Sequence, residues 1–307
     1  MTFCAEVKKD ITENCVYEGC CLASHLYGMA MFGKTFSKSG IVFTSEYDFV
    51  AGHIARSLLS YGLAESEIVR ASSRRDKRVE LTNPQTVERM LFDFGYSGDE
   101  PNFPIRRENF NCENCLPAFL AGCFLTGGTV TDPGVDYHLE FSTHRYTFFK
   151  DFLELVREAG FEPKTAVRAS SYILYFKNSE QIEDILTYMG ACDASMKLMD
   201  AKIYRDIVNN VNRRTNCENA NIDKTVNSAA LDIERIRRIC DVKGMTYLPD
   251  ELRETAQLRL EHPELSFGEL SELTEGKLTK SGISHRMRRI RSYADKLKEE
   301  QDGDTTR

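Results

Sequence analysis

At 307 residues, with 41% apolar and 10% aromatic side chains, the chain is long enough for two or three cores of the usual ~100 to 150 residues. No apolar run approaches the ~18 residues that a membrane helix needs, and the start MTFCAEVKKDITENC has no apolar stretch behind its lysines, so neither a membrane span nor a secretory leader is expected and the protein is placed in the cytoplasm. The net charge of −7 argues against nucleic acid as a partner, yet residues 277–291 carry Lys277, Lys280, Arg286, Arg288, Arg289 and Arg291 and no acid, so the distribution of charge matters more than its sum.

The predicted elements begin with a helix rich in small and apolar residues, CLASHLYGMAMFGK (21–34). A strand over Ile41–Ser45 follows, then an amphipathic helix ending in Gly62. Strands at Ile68–Ser72 and Arg78–Leu81 come next, and a closing helix runs to Gly95. Residues 97–111 are polar and proline-bearing, as a connection would be. The pattern then starts again at a spacing of about 95 residues. CLPAFLAGCFLTGG (115–128) matches the first helix, and Tyr137–Phe141 matches the first strand. A helix to Gly160, strands Thr165–Ala169 and Tyr172–Phe176, and a helix to Gly190 complete the copy. The chain therefore predicts two similar halves, 1–96 and 112–195, joined by 97–111. Ser24 with Gly28, and Ala118 with Gly122, place small residues four apart on one helix face. Such faces let two backbones approach closely, so the opening helices are expected to pack on each other.

Residues 196–244 read as a helical linker with one irregular break at the asparagine-rich NRRTNCENANIDKT. Arg213, Arg214 and Lys224 there are read as a solvated face in preference to a phosphate contact. Residues 245–307 read as three helices around one core. The first follows Leu248-Pro249 and stops at Pro263; the second is capped by Ser266 and buries Phe267, Leu270 and Leu273. The third begins near Ser281 and buries Ile283, Met287, Ile290, Ala294 and Leu297. With those residues inward, its outward face holds Ser281, His285 and Arg288, flanked by Ser284 and Arg289, while Arg286 and Arg291 lie nearer the inward boundary and suit phosphates. This is the order of a helix-turn-helix, whose last helix reads base edges in the major groove. The expected DNA-binding set is Ser266, Lys277, Lys280, Ser281, Ser284, His285, Arg286, Arg288, Arg289 and Arg291. The connection from Thr274 to Lys280 is longer than the simplest turn of this motif.

Ten scattered cysteines without signs of export are expected to be thiols. Cys112-x-x-Cys115 with Cys15, Cys20 and Cys21 offers thiolates enough for zinc. No second C-x-x-C pair accompanies it, however, and Cys21 and Cys115 are equivalent positions where a small thiol packs well. His138, Glu140 and His144 have metal-like residue types but are expected on a surface sheet. No phosphate loop or nucleophile motif is present. No metal, cofactor or catalytic residue is therefore expected.

The doubled helices resemble the signature of the LAGLIDADG homing endonucleases, with the nine residues LYGMAMFGK (26–34) and LAGCFLTGG (120–128). The resemblance implies a pair of interface helices and a DNA-facing saddle, with an acid at the eighth position holding the catalytic metal. Here the eighth positions are Gly33 and Gly127, and the sixth are Met31 and Leu125, so no carboxylate is offered to a hard cation. A basic patch of Arg70, Arg74, Arg75, Lys77 and Arg78 leaves DNA contact by the saddle open. With Cys20-Cys21, FLAGCFLTGGTVTDPGVDYHLEF (119–141), NRRTNCENAN (212–221) and the ending LPDELRETAQLRLEHPELSFGEL...LTKSGISHRMRRI, the chain resembles the WhiA family of bacterial regulators over residues 1 to about 299. That implies an α+β fold: a duplicated, degenerate LAGLIDADG-like domain of two pseudo-symmetric halves, followed by a small all-α helix-turn-helix domain. It further implies a nucleoid-associated, sequence-specific transcriptional regulator of cell division, chromosome segregation or sporulation. Its partners would be double-stranded DNA at promoter sites and, beyond DNA, other transcription factors or RNA polymerase. The alternatives are an adaptor for the transcription or division machinery and a residual homing endonuclease.

Overall fold

A computed structural model describes residues 1–73 and 76–304, so Arg74 and Arg75 of the expected patch lie outside the described residues. The chain divides into two compact units, Met1–Ile207 and Val208–Arg307. In the first, α1 (Phe3–Asn14) precedes two copies of one arrangement. The first copy is α2 (Gly19–Met31), β1 (Thr35–Ser37), β2 (Gly40–Ser45), α3 (Asp48–Ser60), β3 (Val69–Ser72), β4 (Lys77–Leu81) and α4 (Pro84–Asp93). The second is α5 (Cys115–Gly127), β5 (Gly128–Val130), β6 (Leu139–Thr143), α6 (Tyr146–Glu158), β7 (Lys164–Arg168), β8 (Ser171–Phe176) and α7 (Ser179–Tyr188). Each copy forms a four-stranded antiparallel sheet, ordered β1-β2-β4-β3 and β5-β6-β8-β7.

The duplication reaches down to single caps and turns. Asn83 and Asn178 each accept backbone N–H bonds from the first turn of α4 and α7. Gly95 and Gly190, just past the ends of those helices, both stand at φ +83°, where a side chain would be strained. The short strands β1 and β5 were not expected, because three residues are too few to show a period. Helix α1 was not expected either, although Phe3, Val7 and Ile11 recur every four residues and are buried.

The opening helices α2 and α5 pack side by side in parallel, as their small residues predict. A Cβ built on Gly28 would lie 2.2 Å from the Phe119 carbonyl oxygen and 3.0 Å from the Cys123 nitrogen. One built on Gly122 would meet the His25 carbonyl oxygen at 2.2 Å and the Met29 nitrogen at 3.0 Å. Each glycine is thus wedged against the equivalent turn of the other helix, and the two N-termini lie together. That placement corrects the reading of the cysteines as scattered packing thiols: Cys20, Cys21, Cys112 and Cys115 converge, with sulfur atoms within 4.8 Å of one another.

Helix α8 (Cys192–Lys243) runs through NRRTNCENANIDKT without the expected break. The stretch contains no glycine or proline, and Arg214 pairs with Glu218 one turn on at 2.9 Å. The second unit packs the last turns of α8 with α9 (Asp250–Glu261), α10 (Phe267–Glu272) and α11 (Lys280–Asp304). Its core holds Ile236, Ile239, Leu248, Leu252, Ala256, Leu270, Ile283, Met287, Ile290, Ala294 and Leu297. Leu273, expected inside, is 48% exposed, because α10 ends one residue earlier and the chain turns outward there. No helix among the described residues is long and apolar enough to cross a membrane.

Candidate nucleic-acid interface

Helix α10 begins at Ser266, whose hydroxyl accepts from the Glu269 N–H while the Glu269 carboxylate accepts from the Ser266 N–H. This reciprocal cap satisfies donors that a six-residue helix has little else to satisfy. The connection to α11 is folded by Thr274, whose hydroxyl donates to the Ser271 carbonyl at 2.7 Å and accepts from the Leu278 N–H at 3.1 Å. Glu275 and Gly276, at φ +49° and +84°, turn the chain back. Thr279 then opens α11, its hydroxyl accepting from the Gly282 N–H at 3.2 Å.

On α11 the burial follows the helical period. Ile283, Met287 and Ile290 are buried, while Ser281, His285 and Arg288 are exposed on the other side. Ser284 and Arg289 are half-buried at the flanks, Lys277 is exposed just before the helix, and Lys280 is exposed at its first position. Among the described residues, Lys277, Lys280, His285 and Arg288 are held in no ion pair, so their donors are available to a partner.

The other three arginines are held within the unit. Arg291 donates from Nε to Asp232 Oδ1 at 2.6 Å, and from Nη2 to Asp232 Oδ2 at 2.8 Å and to the Ser228 hydroxyl at 3.2 Å. Asp232 is fully buried there, with 0% side-chain exposure. Arg286 donates to the Glu251 carbonyl at 2.9 Å and to the Thr255 hydroxyl at 3.3 Å. Arg289 is bound to the Glu251 carboxylate. Their partners lie on α8 and α9, far away in sequence, so α11 taken alone does not show that these three are engaged.

Two residues outside the expected set belong to this face. Lys224 of α8 lines a hollow of about 260 Å³ with Ser266, Phe267 and Lys280, so it shares a surface with the start of both α10 and α11. Arg259 is 1% exposed, donates to the His262 carbonyl at 3.3 Å and the Leu265 carbonyl at 2.5 Å, and lies over the Phe267 ring. It fixes the bend that aims α10. In the first unit, His138 is spent on Glu140 at 2.9 Å, and His144 meets the Ser170 carbonyl and Ser171 hydroxyl.

The WhiA C-terminal HTH domain matches residues 211–294, and the WhiA LAGLIDADG-like domain matches residues 116–208. A probable cell division protein WhiA from Ruminiclostridium cellulolyticum is 33% identical over 308 residues, covering 97% of this chain and 98% of that one. The protein of the same description from Thermoanaerobacter pseudethanolicus is 31% identical over 316 residues, with 97% and 99% covered. The crystal structure of full-length WhiA from Thermatoga maritima superposes with a TM-score of 0.60 at 24% identity, covering 96% of this chain and 99% of that one.

Proposed function

The chain belongs to the WhiA family, and from that premise we propose that it is a sequence-specific regulator that binds double-stranded promoter DNA in the control of cell division, chromosome segregation or sporulation. In this reading α11 enters the major groove with Ser281, His285 and Arg288 toward base edges. Ser284 sits beside them. Lys277, Lys280 and Lys224, with the Ser266 end of α10, meet phosphates, which position the helix without carrying sequence information. Arg286, Arg289 and Arg291 hold the helix in place instead of touching DNA. The doubled domain is a scaffold without strand-cutting chemistry, since Gly33 and Gly127 stand where carboxylates would be needed.

The single observation that carries this reading is the face of α11: a basic, unpaired surface set opposite a buried apolar one on a capped, three-helix frame. Selection of binding sites by the full-length chain from randomised duplex DNA tests it. One sequence should be enriched. Arg288→Ala should weaken binding by about 1 to 3 kcal/mol and relax the preference at one position. Lys280→Ala should weaken all sequences alike and lower the salt slope by about 1. Absence of an enriched sequence, or binding indifferent to Arg288, would overturn the reading. Incubation with DNA and magnesium should leave the DNA intact, and cleavage would restore the enzyme alternative.

A further inference from the structure

Four thiols come together where α2 and α5 begin. Cys20 and Cys21 lie in the first turn of α2, Cys115 is the first residue of α5, and Cys112 stands three residues earlier on the connection between the halves. The Cys112 sulfur lies 3.7 Å from that of Cys20, 3.4 Å from that of Cys21 and 3.4 Å from that of Cys115. A tetrahedron built with zinc–sulfur bonds of ~2.3 Å has edges of ~3.8 Å, close to the three distances from Cys112 and within the 4.8 Å that contains all four sulfurs. All are free cysteines. The donor set is entirely thiol, and four soft ligands in this arrangement select zinc or iron over magnesium or calcium.

From this geometry we infer that Cys20, Cys21, Cys112 and Cys115 form a closed structural zinc site. On binding, four S–H bonds break and four zinc–sulfur bonds form; the protons pass to solvent and the ion's hydration waters leave. The complex carries excess negative charge, and it forms at the paired N-termini of two parallel helices, the ends where helix dipoles favour an anion. Burial differs among the ligands in a way that suits assembly: Cys115 is buried and fixed by α5, whereas Cys112 is exposed on the connecting segment and closes over the ion last. The site ties both halves and their connection at the end of the helix pair opposite Gly33 and Gly127. Its role is to hold the pseudo-symmetric joint, since all four positions are taken by protein and none is open for a substrate.

The full-length chain, purified with reductant and with zinc in the medium, should carry one zinc ion per chain by elemental mass spectrometry. Cobalt added to the stripped protein should give the absorption of tetrahedral thiolate coordination. Cys112→Ser, at an exposed position that leaves the fold intact by circular dichroism, should lose the ion to a chromophoric chelator at a concentration at least about tenfold lower than the parent requires. Cys20→Ser should do the same, and Cys217→Ser on α8 should behave as the parent. Bound iron in place of zinc, disulfides among these four residues in the freshly purified chain, reduced thiols with no metal, or zinc retained equally by Cys112→Ser and Cys20→Ser would each overturn the inference.

Discussion

Replacing Arg291 with alanine separates an arginine that supports α11 from Arg288, which is proposed to contact DNA. The side chain is 34% exposed and holds an aspartate with no exposure at all. Its removal takes two charge-assisted hydrogen bonds, at 2.6 and 2.8 Å, from Asp232. Breaking a buried pair from one side costs about 3 to 5 kcal/mol, because the remaining charge is left uncompensated. Here the vacated space opens to solvent, so water can replace part of what is lost, and about 2 to 4 kcal/mol is expected. For a unit of Val208–Arg307, each kcal/mol is worth roughly 4 to 8 °C of melting temperature, so the shift should be about 8 to 32 °C. Hydrogen exchange of the amides over 283–297 measures it without interference from the first unit. Arg288→Ala should leave that protection unchanged while weakening DNA binding. Asp232→Leu combined with Arg291→Met should recover most of the lost stability, as apolar replacements of buried pairs do. If Arg291→Ala is within about 0.5 kcal/mol of the parent and yet loses DNA, the division of the arginines drawn above is refuted.

Gly28→Ala must move two backbones apart by roughly 1 Å to relieve a 2.2 Å contact. It should destabilise the first unit by about 2 kcal/mol in urea unfolding, after an offset of up to ~1 kcal/mol from better helix propensity. Because Gly122→Ala opens the same seam, the double variant should lose at least about 0.5 kcal/mol less than the sum, and strict additivity would contradict the shared interface. The buried pair His25 and His53, joined through their Nε2 atoms at 2.9 Å, sets a pH dependence. Burial, then the neighbouring histidine, pushes His25 down to about 3, and burial, then Arg56, pushes His53 down to about 4, both from 6.5. The unfolded chain therefore binds more protons between those values, so this contribution is intact above pH 6.5 and is lost as pH falls toward 4, at up to roughly 2.7 kcal/mol per pH unit. Urea midpoints that stay level from pH 6.5 to 5 would count against it. The pair Gly33→Asp and Gly127→Asp should yield no magnesium-dependent cleavage and a lower melting temperature, read by incubation with duplex DNA and by calorimetry.

Local pattern made some features legible in the sequence and left others out of reach. The duplicated halves were readable because the same small residues recur in both opening helices, and Gly28 and Gly122 then prove to be the contacts themselves. The outward face of α11 was readable because Ile283, Met287 and Ile290 fix its rotation. The restraint on Arg286, Arg289 and Arg291 was not, since Asp232 and Glu251 are brought to them only by packing of α8 and α9. The thiol cluster was named as a possible zinc set, with Cys15 added, and set aside for a related reason. A search for paired C-x-x-C treats ligands as neighbours in sequence, whereas the adjacent Cys20-Cys21 and the Cys112–Cys115 turn meet only because two parallel helices start side by side. The break expected in α8 came from counting asparagines, which lower helix propensity by only ~0.7 kcal/mol or less each. A helix already propagating from both sides absorbs that where it would not absorb glycine or proline.

The eighth positions of the paired helices have been refilled as well as vacated. A Cβ on Gly127 would lie 2.1 Å from the ring of Phe32, which packs edge-on against Phe148 and Phe152 at 4.9 and 5.1 Å. A Cβ on Gly33 would meet the Val42 carbonyl oxygen at 2.7 Å, and the Gly33 carbonyl accepts from the Arg145 guanidinium at 3.1 Å. A side chain placed at 33 would start among the carbonyl oxygens of Val42, Ala30 and Met29, and one placed at 127 would have to displace an aromatic cluster. The structure has thus committed this end of the joint to packing. Acids also outnumber bases across the first 195 residues, which opposes phosphate there. In the proposed reading, affinity for a polyanion rests on Lys224 and on those residues of the stripe from Lys277 to Arg291 whose charge is not already spent inside the chain, since only uncommitted cations displace counterions from DNA.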